Sequence, residues 1–175
     1  MTLAIAADHV GMPVKASLVA MLRARGDKID DYGTHDTLPV DYPDYAYAVA
    51  YAVANDRATS GIIICAGSIG ACIGANKIAG VRCAAPMDIL SAELARRHQN
   101  ANMLALDAQL SGWQMIERLT MIFLLTPFDR GRHVTRVNKI SRFDTALLRT
   151  TERSVNGTEP IDAPSRLRGD TSNDR

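Results

Sequence analysis

The chain has 175 residues, of which 47% are hydrophobic and 22% charged, and its formal net charge is +1. That length and balance suit one ordinary globular domain with a core of its own. A near-neutral charge excludes a global field for recruiting nucleic acid or an anionic membrane, so any bound anion must be held by a local cluster.

Three cysteines, Cys65, Cys72 and Cys83, are too few and too odd in number for a disulfide framework, and no Cys/His spacing resembles a zinc site. Free thiols fit a reducing compartment. The first residues carry no basic leader, and Asp8 interrupts the apolar run early. The stretch from Gly61 to Ala75 is shorter than the ~20 residues a membrane helix needs. The expected location is the cytoplasm, with neither membrane nor nucleic acid as partner.

In chain order, Leu3 to Ala7 reads as a buried strand. Val14, Leu18, Met21 and Leu22 follow at helical spacing, and Gly26 supplies the stop. Lys28 to Asp31 is a second strand, and Tyr42 to Asn55 an alanine-rich helix. Gly61 to Cys65, apolar on both faces and β-branched, has the pattern of a central parallel strand. A glycine-rich turn leads into a short helix ending near Ile78, then a strand from Val81 to Ala85. Asp88 can cap a helix running to about Gln99. Met103 to Leu106 is a fifth strand, and Trp113 to Leu125 a helix stopped by Pro127. A last helix spans about Arg130 to Phe143. From about Thr145 polar residues dominate, so the expected organisation is one domain over 1–144 and a disordered tail over 145–175.

This alternation predicts an α/β fold, an open five-stranded, mostly parallel sheet with helices on both faces. Ligands of such sheets bind beyond the carboxyl ends of the strands, here just after Ala7, Cys65, Ala85 and Leu106. Asp8-His9 follows the first strand; it is either a polar strand end or a pair in which Asp8 orients His9 toward a ligand. Cys65 after three isoleucines is either a small buried hydrophobe or a thiolate base for isomerisation next to a carbonyl. It opens the turn Ala66-Gly67-Ser68-Ile69-Gly70. Backbone N–H groups there favour negative charge, which predicts a lowered thiol pKa and a cradle for an enediolate oxygen. His98 ends its helix, as a C-terminal cap or as a general acid/base in the same crevice. Arg132 and Arg136 stand at i, i+4 beside His133, a solvated basic face or a grip for phosphate.

Together these residues match a known family. Asp8-His9, Asp41-Tyr42-Pro43-Asp44-Tyr45, Gly61 to Cys65, Ala75-Asn76-Lys77 with Gly80-Val81-Arg82, His98 with Asn102, and Gly131-Arg132-His133 with Arg136-Val137 are the matching segments. They resemble the type B ribose-5-phosphate isomerases and galactose-6-phosphate isomerase subunits over roughly residues 2–142. The resemblance implies a Rossmann-like α/β/α sandwich and a homodimer, or dimer of dimers, with active sites shared between subunits. It implies Cys65 as the base between C1 and C2 and His98 as the aid to ring opening. Asp8, His9, Asp41 and Tyr42 would lie against substrate, Ala66 to Gly70 would form the anion hole, and Arg132, His133 and Arg136 would reach the phosphate. No metal or organic cofactor is implied.

Three positions depart from the family pattern. The usual Gly-Thr-Gly-x-Gly loop reads Ala66 to Gly70, an expected Asn is Gln99, and an expected phosphate-contacting Arg is Gln109. The function read from these residues is metal-independent interconversion of ribose 5-phosphate and ribulose 5-phosphate through a cis-enediolate. The alternatives are the same chemistry on a tetrose phosphate or galactose 6-phosphate, or a non-catalytic sugar-phosphate-binding subunit.

Overall fold

The computed structural model describes the backbone of residues 1–154 and the side-chain surroundings of residues 1–144. The elements are β1 (Thr2–Ala7), α1 (Met12–Ala24), β2 (Lys28–Asp31), α2 (Tyr42–Ala54), β3 (Ser60–Cys65) and α3 (Ser68–Ala75). They continue as β4 (Cys83–Ala84), α4 (Ile89–Arg97), β5 (Met103–Asp107), α5 (Trp113–Leu125) and α6 (Arg132–Ser154). All strand pairs are parallel, in the order β2-β1-β3-β5-β4.

Alternation along the strands sorts the core into two layers. Leu3, Ile5, Ile62, Ile64, Leu104 and Leu106 face α1, α4 and α5, where they meet Leu18, Leu22, Ile116, Leu119 and Phe123. Ala4, Ala6, Ile63, Cys65 and Ala105 face α2 and α3. This second layer is built of small residues, so α2 sits close to the sheet: a Cβ at Gly61 would fall 2.6 Å from Val49. The helix ends follow the sequence signals. Gly26 takes φ +91° after α1, and the Asp88 carboxylate accepts from Ser91 N–H at 2.8 Å at the head of α4. Among the described residues no helix is long and apolar enough to cross a membrane.

Two expected boundaries move. The strand over Val81–Ala85 shrinks to Cys83–Ala84 because the Asn102 side chain takes over the backbone before it. Its oxygen accepts from Arg82 N–H at 2.7 Å and its amide donates to the Gly80 carbonyl at 2.9 Å. The last helix begins at Arg132, since Arg130 and Gly131 have left-handed backbone, and it runs past Phe143 to Ser154. The expected boundary at Thr145 therefore falls inside a helix, and the rest of the expected tail, 155–175, lies outside the described residues.

Candidate active site

The sheet reverses its winding between β1 and β3, and the residues just beyond those two strands form a polar crevice. Asp8 joins the two strand ends. One carboxylate oxygen accepts from Val10 and Gly11 N–H at 3.0 and 2.7 Å, and the other accepts from Ala66 N–H at 2.8 Å. Asp8 thus clamps the turn after β3 and makes no bond to His9, which it was expected to orient. His9 is set instead by Val40, whose N–H donates to Nδ1 at 3.3 Å, leaving Nε2 to carry the proton of the neutral ring. The approach of α1 depends on Gly11, where a Cβ would fall 2.2 Å from the Ile64 carbonyl oxygen.

Asp41, exposed, precedes α2. Tyr42 reaches across so that a Cβ at Gly70 would fall 2.4 Å from its hydroxyl; any side chain there would displace the tyrosine. The turn from Ala66 to Gly70 is narrower as a cradle than its sequence implied. Ala66 N–H is taken by Asp8, and Ser68 N–H by the Asp107 carboxylate at 3.4 Å. Among the described residues, the N–H groups of Gly67, Ile69 and Gly70 make no bond across the chain and stay open to a ligand at the start of α3.

Cys65 ends β3 and is 1% exposed, among the small residues under α2 and α3. Its thiol was expected to be acidified by the turn; the opposite holds. Burial pushes its pKa up to about 12, the negative charges of Asp8 and Asp107 push the same way, and only the Asp8 backbone N–H opposes them. In a single chain Cys65 is a protonated thiol at neutral pH. In dissociated single chains, alkylation of Cys65 is therefore expected to be slow at pH 7 and to rise as pH climbs toward 12. Asp107→Asn, by removing one negative charge, should shift that rise to lower pH; an unchanged profile would show that Asp107 does not act on the thiol.

The second group of residues lies elsewhere. His98 caps the C-terminus of α4, five residues before β5 begins, whereas Cys65 pairs with Asp107 at the other end of that strand. The two stand toward opposite ends of β5, a strand about 13 Å long. His98 therefore does not share a crevice with Cys65 within one chain, contrary to expectation, because α4 runs back antiparallel to the strands. His98 stacks on His133, with ring centroids 4.2 Å apart and planes at 6°. Desolvation lowers the His133 pKa, helped by the positive charges of His98, Arg132 and Arg136. Arg132 and Arg136 are exposed beside this stack, one turn apart on α6. Gln99 opens instead onto a groove between α4, β4 and α6.

Asp129 brings a carboxylate into the same cluster; His98, Asp129 and His133 each have a ligating atom within 4.8 Å of the others. The rings are parallel, so their lone pairs run side by side rather than converge on one ion. The carboxylate is already held by Arg97 at 3.0 Å, which keeps it well below the usual carboxylate range. The arrangement favours a cationic patch around a histidine pair over a metal centre.

Two of these groups escaped the sequence reading. Asp107 is 6% exposed and accepts from Gln109 and Leu110 N–H at 3.0 and 2.8 Å. The signal for it was its position at a strand end in an open parallel sheet, masked by assigning that end to Leu106. Gln109 itself is exposed at the mouth of the crevice. Asp129 had no periodic or motif signal; only the fold brings it to His98.

A parallel α/β sandwich with its polar groups gathered at the strand ends is a small-molecule site of the doubly wound kind. The chain belongs to the Ribose/Galactose Isomerase family, whose pattern matches residues 3–140. It is an enzyme, a sugar phosphate isomerase. It is 37% identical to ribose-5-phosphate isomerase B of Escherichia coli (strain K12), over 81% of this chain and 95% of that one. It is 33% identical to D-erythrulose-4-phosphate isomerase of Pectobacterium atrosepticum, over 82% of this chain and 95% of that one. Among solved structures it is similar to ribose-5-phosphate isomerase B of Clostridium thermocellum, with a TM-score of 0.82 and 36% identity, covering 84% and 99% of the two chains.

Proposed function

We propose that this protein interconverts ribose 5-phosphate and ribulose 5-phosphate at a site assembled from two copies of the chain. The observation that carries the reading is the division of polar residues between opposite ends of the sheet. Cys65, Asp8, His9, Tyr42 and the Gly67–Gly70 N–H groups lie at one end, and His98, Arg132, His133 and Arg136 at the other. Neither end alone can open the sugar ring, hold a phosphate and move a proton at carbon; one end of each copy, facing each other, can. Apolar side chains stand exposed beside both ends, Ile69 and Leu110 at 71% and 77% near the thiol, and Val134 and Leu125 near the histidines.

In this assembly the phosphate lies between Arg132 and Arg136 of one copy, gripped by charge-assisted bonds. His98 of that copy transfers the proton that opens the furanose ring. The free aldehyde then lies against Cys65 of the other copy. Its thiolate takes the C2 proton, the Gly67, Ile69 and Gly70 N–H groups receive the enediolate oxygens, and the thiol returns the proton to C1. The same arrangement would counter the raised thiol pKa of the single chain. Each pKa unit corresponds to about 1.4 kcal/mol, so bringing the thiol into range takes several kcal/mol. The cationic end of a second chain is a source of that stabilisation.

A second reading, a shorter substrate such as a tetrose phosphate, is favoured by Gln109 and Asp107, a neutral and an acidic residue at the mouth of the thiol end. Comparing kcat/KM for four-, five- and six-carbon aldose phosphates, without added metal, decides between them. Preference for ribose 5-phosphate supports the first reading and preference for the tetrose supports the second. No turnover of any of them contradicts both.

A further inference from the structure

Cys72 and Cys83 take no part in the site described above. Cys72 sits on α3 and Cys83 opens the edge strand β4, where α3 packs on it; both are half-buried. The Cys72 thiol donates to the Cys83 carbonyl at 3.3 Å, and the Cys83 thiol faces the Ala84 carbonyl at 4.0 Å. Asn76 fastens the pair. Its amide nitrogen donates to Cys72 Sγ at 3.5 Å and to the Cys83 carbonyl at 2.9 Å, and its oxygen accepts from Cys83 N–H at 2.8 Å. A groove of about 660 Å³, lined by Asn76, Arg82, Cys83 and Gln99 among others, opens beside them. The Cys72 sulfur therefore lies against the Cys83 backbone, Asn76 holds the two residues together, both are half-buried, and Cys83 lines the groove.

We propose that Cys72 and Cys83 form a redox-active dithiol that a peroxide closes to a disulfide, tethering α3 to β4. The two sulfurs have unlike roles. The neighbouring Cys83 and Asn76 side chains bring the Cys72 pKa down to about 7 against the effect of burial, while Cys72 and burial raise that of Cys83. The Cys72 thiolate attacks one peroxide oxygen; the O–O bond breaks, Cys72 becomes a sulfenic acid, and the departing hydroxide takes up a proton to leave as water. The Cys83 sulfur then attacks the sulfenic sulfur. The S–S bond forms, the S–O bond breaks, and the hydroxyl leaves with the Cys83 proton as a second water. Two thiols lose two electrons and one hydrogen peroxide becomes two waters. The new bond joins the helix whose first turn carries the Gly67–Gly70 cradle to the edge of the sheet. Cys65, 1% exposed beneath α2 and α3, is shielded by burial and is spared.

The test uses the reduced full chain with equimolar hydrogen peroxide at pH 7, followed by intact mass and peptide mapping after free thiols are blocked. The expected result is a mass lower by about 2 Da, a linked peptide pair through Cys72 and Cys83, and full reversal by dithiothreitol. Cys83→Ser is expected to stop at a sulfenic acid on Cys72, trapped by a 1,3-diketone probe. In the untreated wild type, Cys72 should alkylate at least about tenfold faster than Cys65. Unchanged thiols, a cross-link through Cys65, or oxygen added to Cys65 before Cys72 would each overturn the proposal. None of these readouts depends on isomerase activity.

Discussion

Replacing Cys65 by alanine is expected to lower kcat on ribose 5-phosphate by about 10³-fold or more, in the range lost when a positioned proton-transfer group is removed. The circular dichroism spectrum and the oligomeric state should not change. The side chain is small, buried among alanines, and makes no hydrogen bond that holds the turn; Asp8 and Asp107 do that through the backbone. The loss should fall on kcat with KM little altered, because the sulfur meets the reacting carbon rather than the phosphate. Cys65→Ser should not rescue, since a hydroxyl is a far weaker acid than a thiol. Near-normal turnover in Cys65→Ala would remove the proposed base.

The second large effect is expected at the opposite end of the sheet. Arg132→Ala and Arg136→Ala should each raise KM about tenfold to a hundredfold, from the ~1.5–3 kcal/mol that a charge-assisted hydrogen bond contributes. Both arginines are exposed in the single chain, so neither change should lower the melting temperature appreciably. Inhibition by inorganic phosphate should weaken in parallel with KM. A fall in kcat with KM and phosphate inhibition unchanged would contradict a phosphate site there.

The fold was largely legible because its signals are local. Short continuous apolar runs, a left-handed Gly26, the Asp88 cap and Pro127 each mark an element by short-range physics. β4 was overestimated because Asn102, a side chain remote in sequence, replaces the ladder over Gly80 to Arg82. The site was legible as a set of residues and not as an arrangement. Cys65 and the turn after it were found from a strand-end rule, but the state of the thiol was not. Two of the N–H groups credited with acidifying it, those of Ala66 and Ser68, are taken by Asp8 and Asp107, and those carboxylates act in the opposite direction. His98 was placed near Cys65 because spacing along a chain does not reveal which end of a sheet a helix returns to. Asp107 and Asp129 acquire meaning only through contacts made by folding.

The central claim is that each site takes Cys65 from one copy and His98 from another. It is tested most directly by mixing two inactive variants. Cys65→Ala and His98→Asn are each expected to be inactive alone. Unfolded together and refolded in equal amounts, they should form mixed pairs in which one of the two sites has both wild-type residues. With random pairing the mixture should recover about a quarter of the wild-type rate. Recovery near that value supports a site shared between copies. A refolded mixture that contains mixed pairs and stays inactive would contradict it.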